Sequence, residues 1–137
     1  MTRVLVVDDK EENAYFLRAL LSGHGFEVDC AGHGAEALTK ARDAPPAIVV
    51  SDLLMPVMDG YSLLRRWRSD PQLCAIPFIV YTATYTHPDD ERLALDLGAD
   101  AFILKPAEPD AIVAAVRSAL DLAPLSARRP AEPPGDD

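Results

Sequence analysis

The sequence predicts an α/β fold: a doubly wound, five-stranded parallel sheet with helices on both faces, a three-layer α/β/α sandwich. Five short runs of β-branched and aliphatic residues alternate with five segments of helical period. Such alternation implies parallel strands joined by right-handed crossovers. The chain has 137 residues, 49% of them apolar and 26% charged, which suits one globular core and leaves little room for a second.

Arg3 to Val7 is the first strand-like run. Glu11 to Leu21 follows with Ala14, Leu17 and Leu21 on one helical face, and Gly23 and Gly25 end it. Phe26 to Ala31 reads as the second strand, and Gly34 to Arg42 is helical through Ala37, Leu38 and Ala41. Pro45 and Pro46 break that helix, and Ala47 to Ser51 has the continuous apolar character of a buried parallel strand. The pattern then repeats with a helix over Asp59 to Ser69, a strand over Phe78 to Tyr81, and a helix over Asp89 to Leu97. Pro88 marks the start of that last helix, and Gly98 closes it. Ala101 to Leu104 is the fifth strand, and Glu108 to Leu122 the last helix, with Ile112, Val116, Ala119 and Leu120 turned inward. The domain is expected over residues 1–123. Residues 124–137 are rich in proline and poor in apolar side chains, the composition of a disordered tail or linker.

Composition excludes several classes. Apolar runs fall far short of the ~20 residues that span a bilayer, and the start does not read as a secretory signal, so a cytoplasmic location is expected. Cys30 and Cys74 lack metal-site spacing and read as structural thiols. A net charge of −9 argues against DNA or an anionic membrane as a direct partner. His24, His33 and His87 read as solvated, and Trp67, beside Arg65, Arg66 and Arg68, as a half-buried aromatic on a solvated basic face.

Chemistry in open α/β sheets gathers beyond the carboxyl ends of the strands. At those ends stand Asp8 and Asp9 after the first strand, Asp52 after the third, Thr82 after the fourth and Lys105 after the fifth. Three carboxylates brought together repel, and a divalent cation removes that cost. Hard oxygen ligands with room for waters and a phosphoryl oxygen suit Mg²⁺. A cation, an ammonium and a hydroxyl around a central carboxylate are what phosphoryl transfer needs, with Asp52 as the nucleophile. Two blander readings compete: Asp8 and Asp9 as caps of the helix near Glu11, and Asp52 as a turn residue.

Asp8-Asp9, Asp52-Leu-Leu-Met-Pro-Val-Met-Asp-Gly60, Tyr81-Thr82-Ala83 and Lys105-Pro106, in that order and each at a strand end, resemble the receiver domain of two-component response regulators. The resemblance runs from about Arg3 to Leu122 and implies the flavodoxin-like, CheY-like version of this fold. It implies that Asp9 ligates Mg²⁺ directly, that Asp8 acts largely through a water, and that Asp52 is both ligand and phosphoacceptor. The main-chain carbonyl of Leu54 completes the protein ligands. Thr82 and Lys105 would bind phosphoryl oxygens, Phe102 would be the switch aromatic, and Lys105-Pro106 would be a cis peptide. The implied partner is a histidine kinase or a histidine phosphotransfer protein, with a homodimer left open.

Two positions depart from the common pattern. Leu54 and Thr84 stand where many members carry polar, acidic or amide side chains that tune hydrolysis of the phosphoryl group. Slow self-dephosphorylation is expected from them. Other readings weaken against the full set. A pseudo-receiver that only binds partners would be free to lose at least one of these residues. A Mg²⁺-dependent phosphatase commonly needs a second aspartate two residues after the nucleophile, where Leu54 stands. No glycine-rich phosphate loop follows any strand, which disfavours nucleotide binding.

Overall fold

The computed structural model describes residues 2–83 and 88–122. Its elements, in chain order, are β1 (Arg3–Val7), α1 (Glu11–Gly23), β2 (Glu27–Ala31), α2 (Gly34–Asp43), β3 (Ile48–Ser51), α3 (Gly60–Ser69), β4 (Phe78–Thr82), α4 (Pro88–Asp96), β5 (Ala101–Leu104) and α5 (Pro109–Asp121). The five strands form one parallel sheet in the order β2-β1-β3-β4-β5. This is the doubly wound sandwich that the alternation of elements predicts.

Alternation of side chains along each strand divides the interior into two cores. Leu5, Val7, Val49, Phe78 and Val80 meet Ala37 and Leu38 of α2, Leu63, Leu64 and Trp67 of α3, and Ala94 of α4. Val4, Val6, Ile48, Val50, Ile79 and Tyr81 meet Leu17 and Leu21 of α1 and Ile112, Val113 and Val116 of α5. In α5, Ile112, Val116 and Ala119 are buried as their spacing predicts, Leu120 is only half-buried, and Val113 joins the buried face.

Helix ends follow local chemistry more closely than periodicity does. Asp59 lies just outside α3 as its N-cap, its carboxylate accepting the Ser62 N–H at 2.8 Å. The N-cap of α1 is Lys10, without a side-chain cap, so neither Asp8 nor Asp9 serves as one. His33 differs from its expected solvated state. Its Nδ1 accepts the Glu36 N–H at 3.2 Å and caps α2. His24 is exposed, with Nδ1 2.9 Å from the Leu20 carbonyl, and His87 lies outside the described residues.

Trp67 also differs from expectation: it is fully buried. Its Nε1–H donates to the Ile76 carbonyl at 3.2 Å, and its ring meets Phe78 edge-on with centroids 5.8 Å apart. The neighbouring Arg65 and Arg66 do face solvent, but Arg68 folds inward onto backbone carbonyls. No helix among the described residues is long and apolar enough to cross a membrane. The expected tail from residue 124 lies outside the described residues.

Candidate phosphoacceptor site

Sheet topology decides where the site forms. The order of strands reverses between β1 and β3, which pair with Val7 opposite Ser51. The next residue on each strand therefore emerges at the same crevice, the place where doubly wound sheets bind ligands. The Asp52 N–H donates to the Val7 carbonyl at 2.9 Å, and the Asp8 N–H to the Ala31 carbonyl at 3.0 Å. Those two bonds extend the parallel ladders by one residue and fix both aspartates at the strand ends. At the next strand pair, Thr82 lies opposite Leu104, and the Lys105 N–H donates to the Thr82 carbonyl at 2.8 Å.

The expected residues converge. Carboxylate oxygens of Asp8, Asp9 and Asp52 lie within 4.8 Å of one another; Asp8 and Asp52 are buried and Asp9 is exposed. Lys105 Nζ reaches Asp8 Oδ2 at 2.9 Å and Asp52 Oδ2 at 3.7 Å, with its side chain 9% exposed. The ammonium also lies 5.0 Å from the centroid of the Tyr81 ring. Burial pushes the Tyr81 phenol up, against the opposing pull of Lys105. Thr82 is fully buried at the end of β4, and the Lys105–Pro106 peptide is cis.

The remaining carboxylate contacts are local. Asp8 Oδ1 accepts the Lys10 N–H at 2.9 Å, and Asp52 Oδ1 accepts the Leu53 N–H at 2.7 Å. Each carboxylate thus has one oxygen occupied by a backbone N–H and turns the other, Oδ2, toward Lys105. Three carboxylates face one ammonium, so the site holds excess negative charge made of hard oxygen donors. That donor set fits Mg²⁺.

The loop from Leu53 to Asp59 anchors the site from below. Leu53 is buried, while Met55 and Met58 pack partly against the core beneath α3. Leu54 is 55% exposed, so its side chain projects outward instead of joining that core. Gly60 closes the loop, its N–H donating to the Leu53 carbonyl at 2.7 Å. A Cβ at Gly60 would collide with the Asp52 carbonyl oxygen, so α3 begins close against the backbone of Asp52. Thr84 lies outside the described residues, and Phe102 is half-buried against the core shared by α2 and α3.

Two residues near the site carry roles that their sequence context does not single out. Ser51 ends an apolar strand and reads as a turn signal, yet it is fully buried beside Asp52. Tyr61, just after Gly60, donates its hydroxyl to Asp90 Oδ1 of α4 at 3.0 Å, across 29 residues of sequence. Helical spacing can place Tyr61 on a face, but it cannot reveal a contact with another helix.

Comparison with known proteins agrees with this geometry. Residues 4–117 match the model of the response regulator receiver domain family. The chain is 40% identical over 118 residues to the DNA-binding response regulator MtrA of Mycolicibacterium paratuberculosis, covering 86% of this chain and 51% of that protein. It is 38% identical over 116 residues to the response regulator PleD of Caulobacter vibrioides, covering 85% of this chain and 25% of that one. The chain thus spans about half, or less, of the length of these relatives. Among solved structures, the signal receiver domain of a signal transduction histidine kinase from Syntrophus aciditrophicus superimposes with a TM-score of 0.82 at 32% identity. That match covers 88% of this chain and 91% of the other. From its strand order to its carboxyl-edge cluster, the chain belongs to the response regulator receiver domain family of two-component signalling.

Proposed function

We propose that this receiver domain takes a phosphoryl group onto Asp52 from a phosphohistidine, carried by a histidine kinase or a histidine phosphotransfer protein. The convergence of Asp8, Asp9, Asp52 and Lys105 at one sheet edge supports this most directly. In the transfer, an Asp52 carboxylate oxygen attacks phosphorus and forms an O–P bond. The N–P bond of the donor breaks, and its electron pair stays on the imidazole nitrogen, which is protonated from solvent. Lys105 holds a developing phosphoryl oxygen, and Thr82 bonds another.

Asp8, Asp9, Asp52 and the main-chain carbonyl of Leu54 would hold Mg²⁺, which when bound neutralises charge on the phosphoryl oxygens. Through Thr82 and Phe102 the phosphorylated state alters the face formed by α4, β5 and α5. Leu54 and Thr84 leave hydrolysis slow, so the domain acts as a switch rather than as a turnover enzyme. We assign this activity to residues 1–123 of a cytoplasmic protein, with residues 124–137 as a tail or linker to a further module. The net charge of −9 over the whole chain argues against nucleic acid as a direct partner of this domain.

Incubation with Mg²⁺ and phosphoramidate should add one phosphate to the protein, labile to alkali and hydroxylamine, as read by intact mass. Asp52→Asn should remove it. Equal labelling of that variant would mean that the acceptor is another residue.

A further inference from the structure

We infer that Ser51 is a positioning residue for the phosphoacceptor, acting through the peptide group that joins Asp52 to Leu53. The inference rests on Asp52 being the acceptor. Ser51 is fully buried, and its Oγ–H donates to the Asp52 carbonyl oxygen at 2.8 Å. The N–H of that same peptide, belonging to Leu53, donates to Asp52 Oδ1 at 2.7 Å. One planar peptide group is thereby held at its carbonyl by Ser51 and holds the Asp52 carboxylate with its N–H. Gly60 lies near the same carbonyl, close enough that a Cβ there would collide with it, and its N–H bonds the next carbonyl along.

The consequence lies in which carboxylate oxygen stays available. With Oδ1 engaged by the Leu53 N–H, Oδ2 points toward Lys105 and the acidic cluster. Without the Ser51 hydroxyl, the Asp52 carbonyl would lose its 2.8 Å hydrogen bond from that side chain and the peptide could rotate. The carboxylate would rotate with it. Phosphoryl transfer depends on in-line geometry, so a small misalignment slows the bound reaction without weakening donor binding.

Three proteins test this: the parent, Ser51→Ala and Ser51→Thr, phosphorylated with Mg²⁺ across a range of phosphoramidate concentrations. Ser51→Ala, folded by circular dichroism, should lose roughly tenfold in saturating rate with an unchanged half-saturating donor concentration. Ser51→Thr restores the hydroxyl and should recover most of the rate. In the metal-free proteins, the NMR resonance of the Leu53 amide proton should move upfield in the alanine variant and stay near the parent's in the threonine one. A folded alanine variant with the parental rate and an unmoved Leu53 amide would overturn the inference, as would equal losses in both variants. Should alanine prevent folding, Ser51→Cys keeps the volume with a poor donor, and a parental rate there would equally overturn it. Absence of phosphate on the parent would instead overturn the assignment of Asp52 as acceptor, and the Leu53 amide would still decide the role of Ser51.

Discussion

Lys105 and Arg68 mark opposite edges of the same sheet, and each gathers oxygen atoms around a cation. At the amino edge of β4 and β5, Arg68 is saturated. Its Nε–H and one Nη2–H donate to the Gly98 carbonyl at 3.0 and 2.6 Å, and its Nη1 donates to the Cys74 and Ile76 carbonyls at 2.8 Å each. The other Nη2–H meets Asp100 Oδ2 at 2.8 Å, and that oxygen also accepts the Phe78 N–H at 2.9 Å. All five N–H donors of the guanidinium are used, and the Asp100 carboxylate pairs with the cation. Gly98 takes a positive φ of 114°, which bends the chain after α4 so that its carbonyl can face Arg68. At the carboxyl edge, Lys105 pairs with Asp8 and Asp52 of a three-carboxylate cluster, so its single charge offsets only one of the three. A matched network locks elements together, whereas clustered carboxylates keep a mutual repulsion that a bound cation would relieve.

Breaking the matched edge should have the largest effect on stability. Arg68→Ala should cost about 3 kcal/mol, because it strands a largely buried Asp100 and several carbonyls. Arg68→Lys keeps the charge but cannot span the same acceptors, and should cost nearly as much. Urea unfolding measures both. Neither change should abolish phosphorylation of the folded fraction, since the Arg68 cluster lies at the other edge of the sheet.

Removing charge from the unmatched edge should act in the opposite direction. Asp52→Asn leaves a side-chain oxygen for the Leu53 N–H while relieving repulsion from Asp8 and Asp9. In metal-free buffer the variant should be more stable than the parent by on the order of 1 kcal/mol, at the expense of function. A thermal midpoint at or below the parent's would mean that the cluster is already compensated.

The contrast also bears on what a sequence can reveal. The carboxyl-edge residues were legible because strand ends are marked by apolar runs, and topology brings those ends together from four separate strands. The Arg68 cluster was not legible: its partners lie up to 32 residues away and are mostly backbone carbonyls, which leave no mark on residue identity. Trp67 shows an available signal outweighed by its neighbours. Gly60, Leu63, Leu64 and Trp67 are spaced to share one buried face, yet the adjacent arginines suggested a solvated one. Element boundaries moved by one or two residues where a cap or a turn outweighed periodicity, as at Asp59 before α3 and at Gly23 closing α1.

Two smaller effects sharpen the picture around the loop that follows Asp52. Val57 is 79% exposed and sits at φ 69°, a left-handed conformation that a β-branched side chain resists. Val57→Asn should raise stability by about 1 kcal/mol in thermal unfolding, with the site intact. Tyr61 gives the smallest effect, visible in alkali. Burial and its bond to Asp90 push its phenol from 10.0 up to about 12. The unfolded chain ionises this group at lower pH than the fold does, so the parent loses stability from about pH 10 to 12. Tyr61→Phe should flatten that loss in urea midpoints compared across the same range.

The claim that joins these observations is that unmatched charge at the carboxyl edge, and not the matched cluster opposite, binds the divalent cation. A Mg²⁺ titration of the parent, followed by backbone amide shifts in NMR, tests it most directly. Saturable shifts should centre on Asp8, Asp9, Asp52 and Lys105, weaken in Asp9→Asn, and leave Arg68, Gly98 and Asp100 unmoved. Shifts of equal size at both edges, or none at the carboxyl edge up to millimolar Mg²⁺, would contradict the account.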